Sequence, residues 1–218
     1  MKAFHDDATI KAKYLDRVRA HAAADEIEKG FYWQDGRGCA IGCTIHGSDH
    51  AAYETELGIP RWLALLEDKI FEGLPLDQAK LWPEKFLAAI AVGQDLEAVK
   101  APFLAFVVAD AKESARSAAA ARTAAAARAD AVAAAVAAAR AAAAKAAADA
   151  AAWSAAALQA AARTAAAAAA AAQAAAAAWE AREARAAAGR AAWEAAWARF
   201  AEKLIELIEQ AAREEGGG

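Results

Sequence analysis

Between Ala115 and Ala178, 46 of 64 positions are alanine, and this tract constrains the chain more than any other feature. Alanine has the highest intrinsic helix propensity and no side-chain entropy to lose, so the tract must be helical. It also offers no donor, acceptor, charge or nucleophile, which confines any chemistry to the front half. Gly189 is the only Gly or Pro between Pro102 and the Gly216-Gly217-Gly218 tail. One unbroken helix over 111–215 would reach roughly 150 Å. It would leave Ala165–Ala172 and Ala174–Ala178 exposed on all sides. A folded-back bundle is therefore expected, turning at Asp130, Asp149, Ser154 or Thr164, whose side chains compete with helical hydrogen bonds. Trp153, Trp179, Trp193 and Trp197 are read as knobs that fill the space the alanines leave. The last helix is of ordinary kind: Trp193, Trp197, Phe200, Leu204, Leu207/Ile208 and Ala211 form a stripe at 3–4 spacing.

The front half reads as short helices punctuated by Gly and Pro. Asp7 or Thr9 caps the first, with a stripe of Ile10, Tyr14, Val18, His21/Ala22 and Ile27 that Gly30 closes. Gln34-Asp35-Gly36-Arg37-Gly38 is a turn signal, and Cys39 to His46 is either one or two helical turns or a tight loop. Ser48 caps 49–57, and Pro60 opens 60–72, whose face is Trp62/Leu63, Leu66 and Ile70. Asp77 begins a further helix, broken or restarted at Trp82-Pro83, and Asp95 caps the next, with Pro102 near its middle or at a new first turn. No run alternates with period two for long enough to be a strand. The expected class is all-α: a compact N-terminal region of short helices over 1–108, carrying a Cys/His cluster, then an alanine-rich helical bundle over 109–218 with a short Gly tail.

Charge narrows the partners. Residues 1–110 hold 12 Lys/Arg and 18 Asp/Glu; residues 111–218 hold 13 and 11. Neither half has the dense basic patch of a nucleic-acid footprint, so no nucleic-acid partner is expected. The start of the chain lacks a signal-peptide pattern, and the apolar stretches are broken by charge before 18 residues, so no membrane partner is expected and the expected setting is cytoplasmic. In that compartment two cysteines read as free thiols or metal ligands rather than a disulfide.

All four histidines and both cysteines fall in the first fifty residues. The pattern Cys39-x3-Cys43-x2-His46-x3-His50 pairs zinc's preferred donors at i,i+4 spacing, which places each pair on one helical face. Three readings follow. In the first, the thiols are small core residues and the histidines make ordinary hydrogen bonds. In the second, Cys39, Cys43, His46 and His50 hold a divalent ion, zinc being the candidate. His5 or His21 is then a substitute ligand, and Asp49 or Glu54 fixes a histidine tautomer. The third takes Cys43 as nucleophile, His46 or His21 as base and Asp49 or Glu54 as orienting acid. Gly38, Gly42 and Gly47 then free backbone N–H groups for an oxyanion. A thioredoxin-like role is disfavoured by the three-residue gap between the cysteines. Phe31-Tyr32-Trp33 beside the cluster reads as core or as a stacking surface. Thr123 and Thr164, 41 residues apart, lack the regular repeat of alanine-rich antifreeze helices.

The stretch from Gly38-Cys39-Ala40-Ile41-Gly42-Cys43-Thr44-Ile45-His46-Gly47-Ser48-Asp49-His50 to Glu54, with Gly58-Ile59-Pro60 and Leu66–Pro75, resembles a group of uncharacterised bacterial and phage proteins. These also trail an alanine-rich C-terminal half. The likeness covers roughly residues 1–105 by motif and the rest by composition. It implies a bacterial or phage-associated origin and brings no activity, cofactor or catalytic residue with it. The expected role is therefore a non-enzymatic helical scaffold or interaction protein, with a homodimer or protein partner engaged through the alanine-rich helices. The competing expectation is a small cysteine/histidine-dependent or zinc-dependent hydrolase.

Overall fold

Asp7, one of the two caps open in the sequence, starts the first long helix: its carboxylate accepts from the Thr9 N–H at 2.7 Å, capping α1 (Ala8–Ala23). The computed structural model describes residues 1–150 and 156–216; side chains are not described at 139, 143–150, 156–162, 164–172, 174 and 175. After α1 come β1 (Trp33–Gln34), β2 (Arg37–Gly38), α2 (Ala40–Ile45), α3 (Ala52–Leu57), α4 (Arg61–Gly73) and α5 (Leu76–Ala89). Two long helices complete the chain, α6 (Glu97–Ala150) and α7 (Ala156–Gly216). The molecule is mostly helical, with short helices first and long ones after.

Several local expectations change in the structure. The turn signal at 34–38 is a β-hairpin: Trp33 pairs with Gly38 and Gln34 with Arg37, antiparallel, around Asp35-Gly36. Both turn residues have positive φ (50° and 84°), the backbone that an Asp-Gly hairpin turn provides. The helix expected at 49–57 is shorter, α3 beginning at Ala52 without a side-chain cap, and Asp49 accepts from the Ala51 N–H at 2.9 Å in the turn before it. No break occurs at Trp82-Pro83; α5 runs through both, and both are buried. Packing here outweighs the local preference of proline. In the alanine tract, Asp130 and Asp149 lie inside α6 and Thr164 inside α7, so none of them turns the chain. Ser154 and Trp153 lie outside the described residues, as do Gly217 and Gly218.

The chain divides into two units, one of 1–108 with 189–218 and one of 109–188. In the first, α1 packs on α5 and α2, while α4 packs on α2, α3 and α5. Tyr14, Ile41, Tyr53, Leu63, Ile70, Phe71, Phe86 and Leu87 fill its centre. The end of α7 completes this core with Leu204, Leu207, Ile208 and Ala211, the stripe visible in the sequence. Trp197 stands so close to Gly73 that a Cβ there would lie 2.1 Å from the indole. Trp179 and Trp193, in contrast, are exposed rather than filling space. The buried Gln94 amide donates to the Ile208 carbonyl at 2.6 Å, tying α7 to the loop before α6. In the second unit every described side chain is exposed apart from the half-buried Asp110 and Ala181.

Candidate functional site

The Cys/His segment folds because two of its glycines admit another strand of backbone. A Cβ on Gly42 would lie 1.5 Å from the Tyr32 carbonyl oxygen, and one on Gly38 would lie 2.0 Å from it. The Gly38 N–H donates to the Glu26 carbonyl at 3.1 Å, and the Cys39 N–H donates to the Phe31 and Tyr32 carbonyls at 3.1 Å. These glycines therefore serve close backbone packing, and the N–H groups expected for an oxyanion at Gly38 are already used. His46 ends α2 in the left-handed region (φ 56°), which turns the chain away from the helix axis.

That geometry splits the sequence cluster in two. Cys43 turns inward, its thiol 3.3 Å from the Gly38 carbonyl and 3.8 Å from that of Glu26. On the same side, His46 Nε2 lies 2.9 Å from His21 Nε2, and His21 Nδ1 lies 2.6 Å from Glu26 Oε2. Trp33 stacks on the His46 ring at 4.4 Å and 17°, with His21 edge-on to both rings. Cys39 and His50 face the opposite group: Cys39 Sγ is 3.9 Å from Asp68 Oδ1, and His50 Nε2 is 3.8 Å from Asp68 Oδ2. Tyr32 meets the His50 ring edge-on at 5.5 Å. The aromatic run thus sets Trp33 against His46 and His21 and Tyr32 against His50.

Cys39, Cys43, His46 and His50 are consequently not gathered as one ligand set. Among the described residues no three His, Cys, Asp or Glu side chains are placed to hold a metal ion. The substitute ligands and orienting acids are dispersed as well. His5 Nε2 lies 3.2 Å from the Thr55 carbonyl, Asp49 holds the Ala51 N–H, and Glu54 accepts from the Arg61 N–H at 2.9 Å.

Electrostatics bears on the thiols. Burial pushes both Cys39 and Cys43 up to about 12, with the Asp68 carboxylate adding to the effect at Cys39 and the Cys39 sulfur at Cys43. Both therefore stay protonated at neutral pH and behave as small apolar residues. The imidazole of His46 is held below its ordinary value by burial, then by the nearby Arg17 guanidinium and His21. In the tautomer where Glu26 accepts the His21 Nδ1–H, His21 Nε2 accepts from the His46 Nε2–H. The sequence offered no sign of this pairing, since the two histidines lie 25 residues apart.

Two further acids were missed. Asp68 is nearly buried, and Glu67 is completely buried with neither carboxyl oxygen hydrogen-bonded. Burial pushes Glu67 up to about 8, opposed by the nearby Tyr53 hydroxyl and reinforced by the neighbouring Asp68. A signal existed: Glu67 lies four residues after Leu63 and three before Ile70, on the apolar stripe of α4. Comparisons with family models, curated proteins and solved structures find no match. Among the described residues no helix is long and apolar enough to cross a membrane.

Proposed function

We propose that the protein is a non-enzymatic helical interaction protein that associates with a second copy of itself through its alanine-rich unit. The observation that carries this reading is the exposure of α6. Every described side chain from Ala111 to Ala138 is exposed, including Val132 and Val136 one turn apart. A helix of thin apolar side chains lets a partner helix approach closely, at or below the usual 8–10 Å interaxial distance. The partner we propose is a copy of the same chain, because residues 109–188 carry only nine Lys/Arg against six Asp/Glu, a thin charge that opposes contact between two such units little once screened. The thiols, held protonated, support this reading over a cysteine-dependent hydrolase. The resemblance to bacterial and phage proteins supports a bacterial or phage-associated origin, and the cytoplasm is the setting we propose.

Light scattering behind size exclusion tests this on the full chain. We expect a dimer or larger species at tens of micromolar protein, not weakened as salt rises, because apolar faces rather than opposite charges meet. Val132→Asp with Val136→Asp should return it to monomer while helicity is retained. A monomer at 100 micromolar in low and high salt alike, on the order of the weakest useful affinities, would overturn the reading.

A further inference from the structure

Between the loop before β1 and the outer face of α4 lies a cavity of about 210 Å³, within the first unit and lined in part by Phe31, Tyr32, Cys39, Asp68, Lys69 and Glu72. Its floor holds Asp68, a carboxyl group whose contacts with neighbouring side chains are all long. The Asp68 side chain is only 5% exposed, yet Lys69 Nζ reaches it only at 3.7 Å, His50 Nε2 at 3.8 Å and Cys39 Sγ at 3.9 Å. Behind it, the buried His50 Nε2 has no hydrogen-bond partner at all. A nearly buried carboxylate normally gains two or more N–H or O–H donors, because its desolvation is otherwise uncompensated. Here the donors stand back by about an ångström, and an open volume stands in front. The Lys69 side chain is 67% exposed and free to swing into water.

We propose that this cavity binds a primary alkylammonium group. The Asp68 carboxylate is the counter-ion, Glu72 is a second acceptor at the mouth, and the Tyr32 ring gives a face for the cation. The chemistry of the lining selects this class. Two carboxylates against one mobile ammonium favour a cation, whereas a metal ion would need at least three converging donors, which the described residues do not provide. Cys39 remains a neutral thiol donating to Asp68 and does not compete for the cation. The volume corresponds to roughly seven waters at ~30 Å³ each, room for an ammonium on a short alkyl chain. The same group occurs free in small amines and at the end of a lysine side chain, and the two sources are separable.

The test is a titration of the full-length protein followed by NMR, reading the His50 ring and Tyr32 resonances. Butylammonium chloride at neutral pH should bind saturably, at least about tenfold tighter than butan-1-ol of the same shape, because only the cation gains a charge-assisted bond. Asp68→Asn should lose that tenfold advantage, and Glu72→Gln should lose a smaller part. If Asp68→Asn does not fold, Tyr32→Leu at an exposed position takes its place and should weaken the cation more than the alcohol. N-acetyl-lysine methylamide binding as tightly as butylammonium assigns the site to a lysine side chain; clearly weaker binding assigns it to free amines. Equal affinity for butylammonium and butan-1-ol would overturn the proposal, as would undiminished binding to Asp68→Asn.

Discussion

The two units are helical for different reasons. In the first, α2 and α3 are six residues each, far shorter than an isolated helix that survives in water. They exist because Ile41, Cys43, Tyr53 and Leu57 are buried against their neighbours. In the second, almost nothing described is buried, and the helices exist because alanine makes them intrinsically favourable. One unit holds its shape through tertiary packing, and the other through local propensity summed over many residues. Chemistry follows packing: the carboxylates, imidazoles and thiols with unusual environments all belong to the first unit.

The comparison breaks most visibly if a core deletion and an alanine-tract substitution behave alike. Leu204 is fully buried, so Leu204→Ala should destabilise the first unit by about 2–5 kcal/mol through lost burial and the cavity left behind. Thr123 is exposed in α6, its hydroxyl bonded to the Ala119 carbonyl at 3.1 Å. Thr123→Ala should change stability by less than about 0.5 kcal/mol, because nothing packs on it and alanine is the better helix former. Urea unfolding curves of the two variants decide the matter. A small effect of Leu204→Ala would remove the end of α7 from the core.

A second test sharpens what burial does to charge. Glu67 ionises in the unfolded chain near its ordinary 4.5 and in the folded unit at about 8. Between those values the folded state binds more protons, so its stability must fall as pH rises from about 5 to about 8. Water entry on ionisation would keep the loss below that of the full shift, on the order of 2 kcal/mol. Glu67→Gln cannot ionise and should flatten the dependence. Urea midpoints at pH 5 and pH 8 that move equally in both proteins would show that Glu67 is not buried in the folded unit.

What the sequence revealed follows the same division. The helical class, the Asp7 cap and the Leu204–Ala211 stripe all follow from near-neighbour spacing, which a sequence displays directly. So does the acid on the α4 stripe, once Glu67 is counted with Leu63 and Ile70. The site was less legible because its pairings are long-range. Cys39 and Cys43 share a spacing but not a destination, and Asp68 reaches Cys39 across 29 residues. Gly38 and Gly42 look like catalytic-loop glycines until the Tyr32 carbonyl is seen against them. Pro83 looks like a helix end until its burial is seen. In each case a tertiary contact overrode a reasonable local signal.

A smaller effect than that of Glu67 asks whether the units unfold together. Ala126 lies exposed within α6, where glycine should cost about 1 kcal/mol through backbone entropy alone. If the second unit opens on its own, Ala126→Gly should raise amide hydrogen exchange around residues 118–134. Protection at Ile70 and Leu87 in the core of the first unit should be unchanged. Stability distributed in this way is what a propensity-held helix predicts, since loss of one turn leaves distant burial intact. If exchange at Ile70 and Leu87 accelerates by the same factor, the two units form one cooperative structure. The alanine helices would then draw their stability from the packed core, and the contrast between propensity and burial would fail.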